Sequence, residues 1–231
     1  MLKENIYYKK IKKHSNAILF FVFVFFQIFW IVNNHDELFD KYLQIDDARI
    51  HLYYFHGYAG NTAFDNDPVV QEVSKMMTPG VRFLYKNLVP YFGILVSIKI
   101  VQGITFALIL ITSWYIYLKN KELLPQIFIL LIFTLSTPYL VNSAFGGLQR
   151  SFWLPCFYMW ILGILSQVHS VRYFSVILAC LTYPIIGVLI IACETVYLLL
   201  SFLTFSFSTR TRNDFISYMT VATLAFVILL P

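Results

Sequence analysis

The chain has 231 residues, of which 59% are apolar, 19% aromatic and only 13% charged. That balance excludes an ordinary soluble domain and a disordered chain, and it predicts an all-α integral membrane protein with the lipid bilayer as its first partner. Seventeen basic against twelve acidic residues is a modest excess that calls for no nucleic acid, because the basic residues stand where membrane topology places them.

Residues 1–15 form a basic segment with Lys3, Lys9, Lys10, Lys12 and Lys13. An apolar and aromatic run follows over 16–32, relieved only by Gln27. It ends in Asn33-Asn34-His35 without a small-residue cleavage pattern, so the expectation is a retained anchor rather than a signal peptide. The lysines predict a cytoplasmic N-terminus, which puts residues 33–93 outside the membrane. That interval holds eight of the twelve acidic residues, all between Asp36 and Glu72. Its patterning predicts short helices: one over 47–58, broken by Gly57, Gly60 and Asn61, and one opened by Asn66-Asp67-Pro68, with Asp at the cap and Pro in the first helical position. Thr78-Pro79-Gly80 ends the second. Residues 81–89 then read as an interfacial amphipathic helix carrying Arg82 and Lys86.

Further spans are expected over 94–118, 123–141 and 152–168, with Lys99 snorkelling at the start of the first of these. Residues 171–207 are too long for one crossing and short for two. Tyr183-Pro184 is the natural break, and two crossings meeting there keep Arg210 and Arg212 in the cytoplasm. The first arm is then too short to cross, which sets the break at membrane depth. A seventh span is expected from 215 to 231. The reading is a single membrane domain over 1–231, with about seven transmembrane helices and a large helical first extracytoplasmic loop. It is expected to be the N-terminal part of something longer, with a C-terminal companion polypeptide as a candidate partner. Cys156, Cys180 and Cys193 all fall in apolar runs and read as small buried hydrophobes. No Walker loop, GxGxxG or HExxH occurs.

The candidate chemistry centres on Asp46 and Asp47. One of them is placed to cap the helix starting near Ala48. The other is free to take a proton from an attacking hydroxyl, or to hold a divalent cation against a phosphate. Both are therefore candidate catalytic residues and candidate metal ligands, with Asp47 preferred because it stands one helical turn before His51. His51 reads first as its ion-pair partner on a solvated face. Arg49 has the planar donor fork that suits a phosphate. Arg150, after Gly146-Gly147, either holds a lipid phosphate or ends a helix at the interface. Glu194 is an intramembrane carboxylate that costs ~2.5–3.5 kcal/mol on insertion scales and so should face a bundle interior or cavity. It lines a site or is a protonated structural residue, with Thr195 as a neighbour able to satisfy it in part. Tyr183 reads first as a hinge and second as a substrate contact.

Asp46-Asp47-Ala48-Arg49-x-His51, Asn66-Asp67, Gly147-Leu148-x-Arg150-x-Phe152-x-x-Pro155 and Tyr183-Pro184 together resemble bacterial multispanning proteins of the GT-C glycosyltransferase type. The shared pattern is a cytoplasmic N-terminus, one span, then a large outer loop with an acidic pair near its start. The resemblance implies a polyprenyl-phosphate-linked sugar as donor, transfer of a hexosyl or pentosyl group on the outer face of the cytoplasmic membrane, and a base or metal contact at Asp46 or Asp47. Arg49 and Arg150 are then candidates for the donor phosphate. The competing reading is a non-enzymatic membrane scaffold or transport component, with Glu194 lining a pathway. Sparse intramembrane charge and the lack of an inverted repeat weigh against a transporter.

Overall fold

The computed structural model describes residues 2–42, 54–60, 66–137, 140, 142, 145–204, 218 and 220. Regular structure among them is helical throughout, with no strand. The first helix, α1 (Leu2–Asn33), joins the basic segment and the apolar run in one piece. At about 1.5 Å per residue it is about 48 Å long, more than a bilayer core needs. Asn34 interrupts it, with Nδ2 donating to the Trp30 carbonyl at 2.8 Å. The short α2 (His35–Phe39) follows. Its Glu37 carbonyl accepts from both Lys99 Nζ (2.5 Å) and Gln102 Nε2 (2.8 Å).

Residues 56–59 form a 3-10 turn that Gly60 closes at φ 77°. Residues 47–53, over which the sequence predicts a helix, lie outside the described residues. The helix predicted after Asn66 is α3 (Pro68–Met76). Its Asp67 cap accepts from the Val69 amide at 2.7 Å, and Pro68 needs no partner for a missing N–H.

The long α4 (Pro79–Lys119) consists of two arms, because Gly93 leaves helical geometry at φ 71°, ψ 171°. The sequence separates the same two pieces. Pro90 removes a helical donor just before the break, and Gly93 supplies a conformation closed to L side chains. In the first arm Val81, Tyr85 and Val89 are buried, while Arg82, Lys86 and Asn87 are exposed. This stripe at four-residue spacing faces Phe55, whose ring stacks on Tyr85 at 3.8 Å.

The remaining helices are α5 (Leu124–Ser136), α6 (Trp153–Leu165), α7 (His169–Thr182) and α8 (Pro184–Thr204). Among the described residues, two segments are long and apolar enough to cross a membrane: His14–Asn33 within α1, and α4. The expectation of about seven spans is thus met in its coarser part, a helical chain with two such helices. The predicted spans over 123–141 and 152–168 contain helices of 13 residues each. The predicted seventh span lies outside the described residues, apart from Tyr218 and Thr220.

Two apolar clusters hold the helices. One joins α1, α4, α5 and α6 around Phe23, Trp30, Phe106, Leu131 and Tyr158. The other joins both arms of α4 to α6, α7 and α8 around Tyr85, Ile98, Phe152 and Ala179. Polar bonds stitch the same pairs. Trp114 Nε1 donates to Gln27 (3.1 Å), Trp30 Nε1 to the Leu135 carbonyl (2.7 Å), and Ser113 meets the Tyr158 hydroxyl at 2.5 Å.

Helix α7 is gripped from three sides by glycine. A Cβ on Gly80 would stand 2.7 Å from the Leu181 carbonyl oxygen. One on Gly163 would stand 2.8 Å from the Arg172 backbone nitrogen, and one on Gly187 would stand 2.6 Å from Cys180 Sγ. Small residues at such crossings let backbones approach where lipid supplies no hydrophobic drive.

Candidate functional site

The α7–α8 connection is a tight reversal. Tyr183 leaves the helix at φ −146°, ψ 83°, and its carbonyl accepts from the Ile186 and Gly187 amides at 3.0 and 3.2 Å. The two helices return along each other and bring Arg172 of α7 against Glu194 of α8. Arg172 donates through Nε and Nη2 to the two carboxylate oxygens of Glu194. Trp160 of α6 donates to Glu194 Oε1 at 2.5 Å. The guanidinium carbon of Arg172 lies 4.9 Å from the Tyr197 ring centroid. Glu194 is wholly buried and Arg172 is 5% exposed. Both oxygens of Glu194 are therefore engaged by protein donors. Thr195 does not satisfy it: its hydroxyl turns to the Ile191 carbonyl (2.8 Å) and the Tyr218 hydroxyl (2.8 Å). The bidentate guanidinium thus supplies the buried carboxylate with both an opposite charge and hydrogen bonds.

Arg150 is exposed, in the 3-10 turn Gln149–Phe152 that leads into α6. The glycines before it serve packing. Gly147 sits at φ 64° against Ile98, and its carbonyl accepts from the Tyr85 hydroxyl at 2.7 Å. Ten residues, through the 3-10 turn and α6, separate Arg150 from Trp160, about 15 Å at helical rise, so Arg150 and Glu194 do not share one site. Tyr183 stands eleven residues from Glu194 along the chain. Asp46, Asp47, Arg49 and His51 lie outside the described residues.

A second feature is a groove of about 440 Å³ between α1, α2 and the second arm of α4. Trp30, Leu38, Phe39 and Phe106 give it apolar walls, Gly103 opens its floor, and Lys99 stands at one end. A Cβ added at Gly103 would meet nothing within 4 Å. The volume lies in the range of about 300–1,000 Å³ usual for small-ligand sites. Asp40 and Glu37 lie near enough to Lys99 to act on its charge. In sequence, Asp46 follows Phe39 of the groove wall by seven residues.

Beside the first arm of α4, the Tyr54 and Tyr58 hydroxyls meet at 2.7 Å. Burial, then the Tyr54 hydroxyl, pushes the Tyr58 phenol up, against an opposing pull from Arg82. Among the described residues no three His, Cys, Asp or Glu side chains are grouped as a metal ion would need. The acidic pair to which the sequence assigns a cation lies outside them.

Three features escape sequence reading. Arg172 has no part in the chemistry read from the sequence, yet its side chain is buried against Glu194. Its signal is symmetry, because opposite charges stand eleven residues either side of Tyr183. Trp160 carries no signal of its own. Lys99 reads as a snorkelling residue, and the groove beside it depends on how α1 and α4 cross. The chain was compared with protein-family models, with curated proteins and with solved structures, and none matches it.

Proposed function

We propose that the chain is an inner-membrane glycosyltransferase, or the N-terminal part of one, that takes its sugar from a polyprenyl-phosphate donor. Its N-terminus is cytoplasmic, and transfer occurs on the outer face of a bacterial cytoplasmic membrane. The observation that carries this reading is the groove between α1 and α4. It is apolar along its length, it lies between the two helices long enough to cross a membrane, and Lys99 stands at one end. A polyprenyl phosphate has the matching form, an apolar tail and an anionic head. Glu37, whose carbonyl accepts from Lys99, stands at that end of the groove, and Asp46 and Asp47 follow it by nine and ten residues in sequence. One aspartate deprotonates the acceptor hydroxyl or holds a divalent cation, while Arg49 contributes to the phosphate.

The test is photocrosslinking. Polyprenyl phosphate bearing a diazirine in its tail is incorporated into vesicles holding the full-length protein, and the labelled peptide is identified. Labelling of the peptide containing Gly103 is expected, together with its loss in Gly103→Phe. Labelling spread evenly over the lipid-facing sides of α1 and α4, unchanged in Gly103→Phe, removes the support for a lipid-linked donor and favours the scaffold reading.

A further inference from the structure

Lys99 and Lys119 stand twenty residues apart on α4, with no charged residue between them. At about 1.5 Å per residue they are about 30 Å apart, the thickness of a hydrocarbon core. This interval serves as a depth scale. Helix α6 runs beside it in the same sense, since Gly147 packs on Ile98 and Tyr158 meets Ser113. Ser113 is six residues short of Lys119, and Cys156 is two residues before Tyr158. Cys156 is thus about 12 Å from the Lys119 level. Its thiol bonds Thr182, the last residue of α7. Gly163, five residues past Tyr158, packs on Arg172 near the Lys119 level. Helix α7 therefore rises from the Lys119 end and stops near the middle of the scale.

The chain leading into α4 reaches the same depth. Thr78 Oγ1 donates to the Thr182 carbonyl at 2.9 Å, and Gly80 packs on Leu181. Just before Thr78, α3 exposes Gln71, Glu72 and Lys75, and Pro79 just after it is exposed. Tyr183 is half-buried, and its hydroxyl has no hydrogen-bond partner among the described residues. Irregular backbone and exposed charge at membrane depth are tolerated only where protein covers them or water reaches them.

We propose that a water-filled recess opens at the Lys99 end and reaches about halfway through the apolar layer. The Tyr183-Pro184 turn is its floor, and the α3–α4 connection is one wall. It takes water and small polar solutes, where the neighbouring groove takes an apolar tail. The proposal rests on the membrane reading above and is independent of the sugar donor.

The experiment uses the full chain carrying Cys193→Ala, which leaves the buried Cys156 and Cys180. Single cysteines are placed in sealed right-side-out vesicles and treated with an impermeant cationic methanethiosulfonate. Labelling is normalised to the denatured protein. Tyr183→Cys and Pro79→Cys should lose their free thiol as readily as Asn87→Cys on the exposed side of α4. Ile185→Cys and Ile111→Cys, exposed at 69% and 64% on apolar surfaces, should stay unlabelled. Silent Tyr183→Cys and Pro79→Cys beside a labelled Asn87→Cys overturn the recess while leaving the membrane reading intact. Labelling of Ile111→Cys at the Asn87→Cys rate overturns the membrane reading, and the recess with it. Pro79→Cys decides the matter if Tyr183→Cys fails to accumulate.

Discussion

Arg172 and Glu194 face each other across the α7–α8 reversal, each eleven residues from Tyr183, and join as a bidentate buried ion pair. Breaking one side of such a pair strands a buried charge and costs about 3–5 kcal/mol, whereas replacing both partners by apolar residues is close to neutral. Arg172→Met and Glu194→Met should each lower the unfolding midpoint and the folded yield strongly. The double variant should recover most of the loss. A thermal unfolding series in detergent checks this, and additive losses in the double variant would show that the two side chains do not act as a pair.

The glycine grip on α7 separates glycines by their surroundings. Ala at Gly80, Gly163 or Gly187 meets backbone or thiol at 2.6–2.8 Å and should destabilise by about 1–3 kcal/mol, as overpacking does. Ala at Gly103, where nothing lies within 4 Å, should be neutral or stabilising by up to ~1 kcal/mol, because helix interiors favour Ala over Gly. Unfolding midpoints of the four variants decide it. Equal effects would mean that the helices do not pack this closely.

Gly93 makes the opposite case, because its neighbourhood is empty but its backbone is not permissive. At φ 71°, ψ 171° an L residue carries strain of about 1–3 kcal/mol. Gly93→Ala should therefore destabilise by that order despite free space, and circular dichroism should show no loss of helix. A neutral Gly93→Ala would mean that α4 runs straight.

The sequence made some of this legible and hid the rest for physical reasons. Local chemistry is readable: Asp67 and Pro68 open α3, residues 81–89 and 94–118 stand apart as the two arms of α4, and Tyr183-Pro184 breaks the last helices. Residue type sets those features within a few residues. Glu194 was readable as a carboxylate needing cover, but its cover was not, because Arg172 and Trp160 are brought to it by folding of α6, α7 and α8. The groove was hidden for the same reason, since Trp30 and Gly103 adjoin only once α1 and α4 cross. Of the spans read from composition, two correspond to helices long enough to cross a membrane among the described residues, and the runs at 123–141 and 152–168 each hold a described 13-residue helix.

Tyr58 gives a pH-dependent prediction. Its folded-state proton affinity is raised, by burial and then by the Tyr54 hydroxyl, so its contribution is fully present below the ordinary tyrosine value of about 10. It is lost as pH rises above that value, because the unfolded phenol ionises first. Stability should fall on the alkaline side, and Tyr58→Phe should make the fall shallower. Unfolding midpoints measured from neutral to strongly alkaline pH check this, and an unchanged slope in Tyr58→Phe would contradict it.

The measurement that bears most directly on the proposed activity is sugar transfer by the full-length protein in vesicles, from a panel of labelled polyprenyl-phosphate sugars. It compares the native chain with Asp47→Asn, Asp46→Asn and Gly103→Phe at matched abundance. The account predicts transfer from at least one donor, a loss of about 10²–10⁴ in rate when the aspartate that acts as base becomes Asn, and weakened use of the lipid donor in Gly103→Phe. No transfer from any donor, or full activity in all three variants, would contradict it.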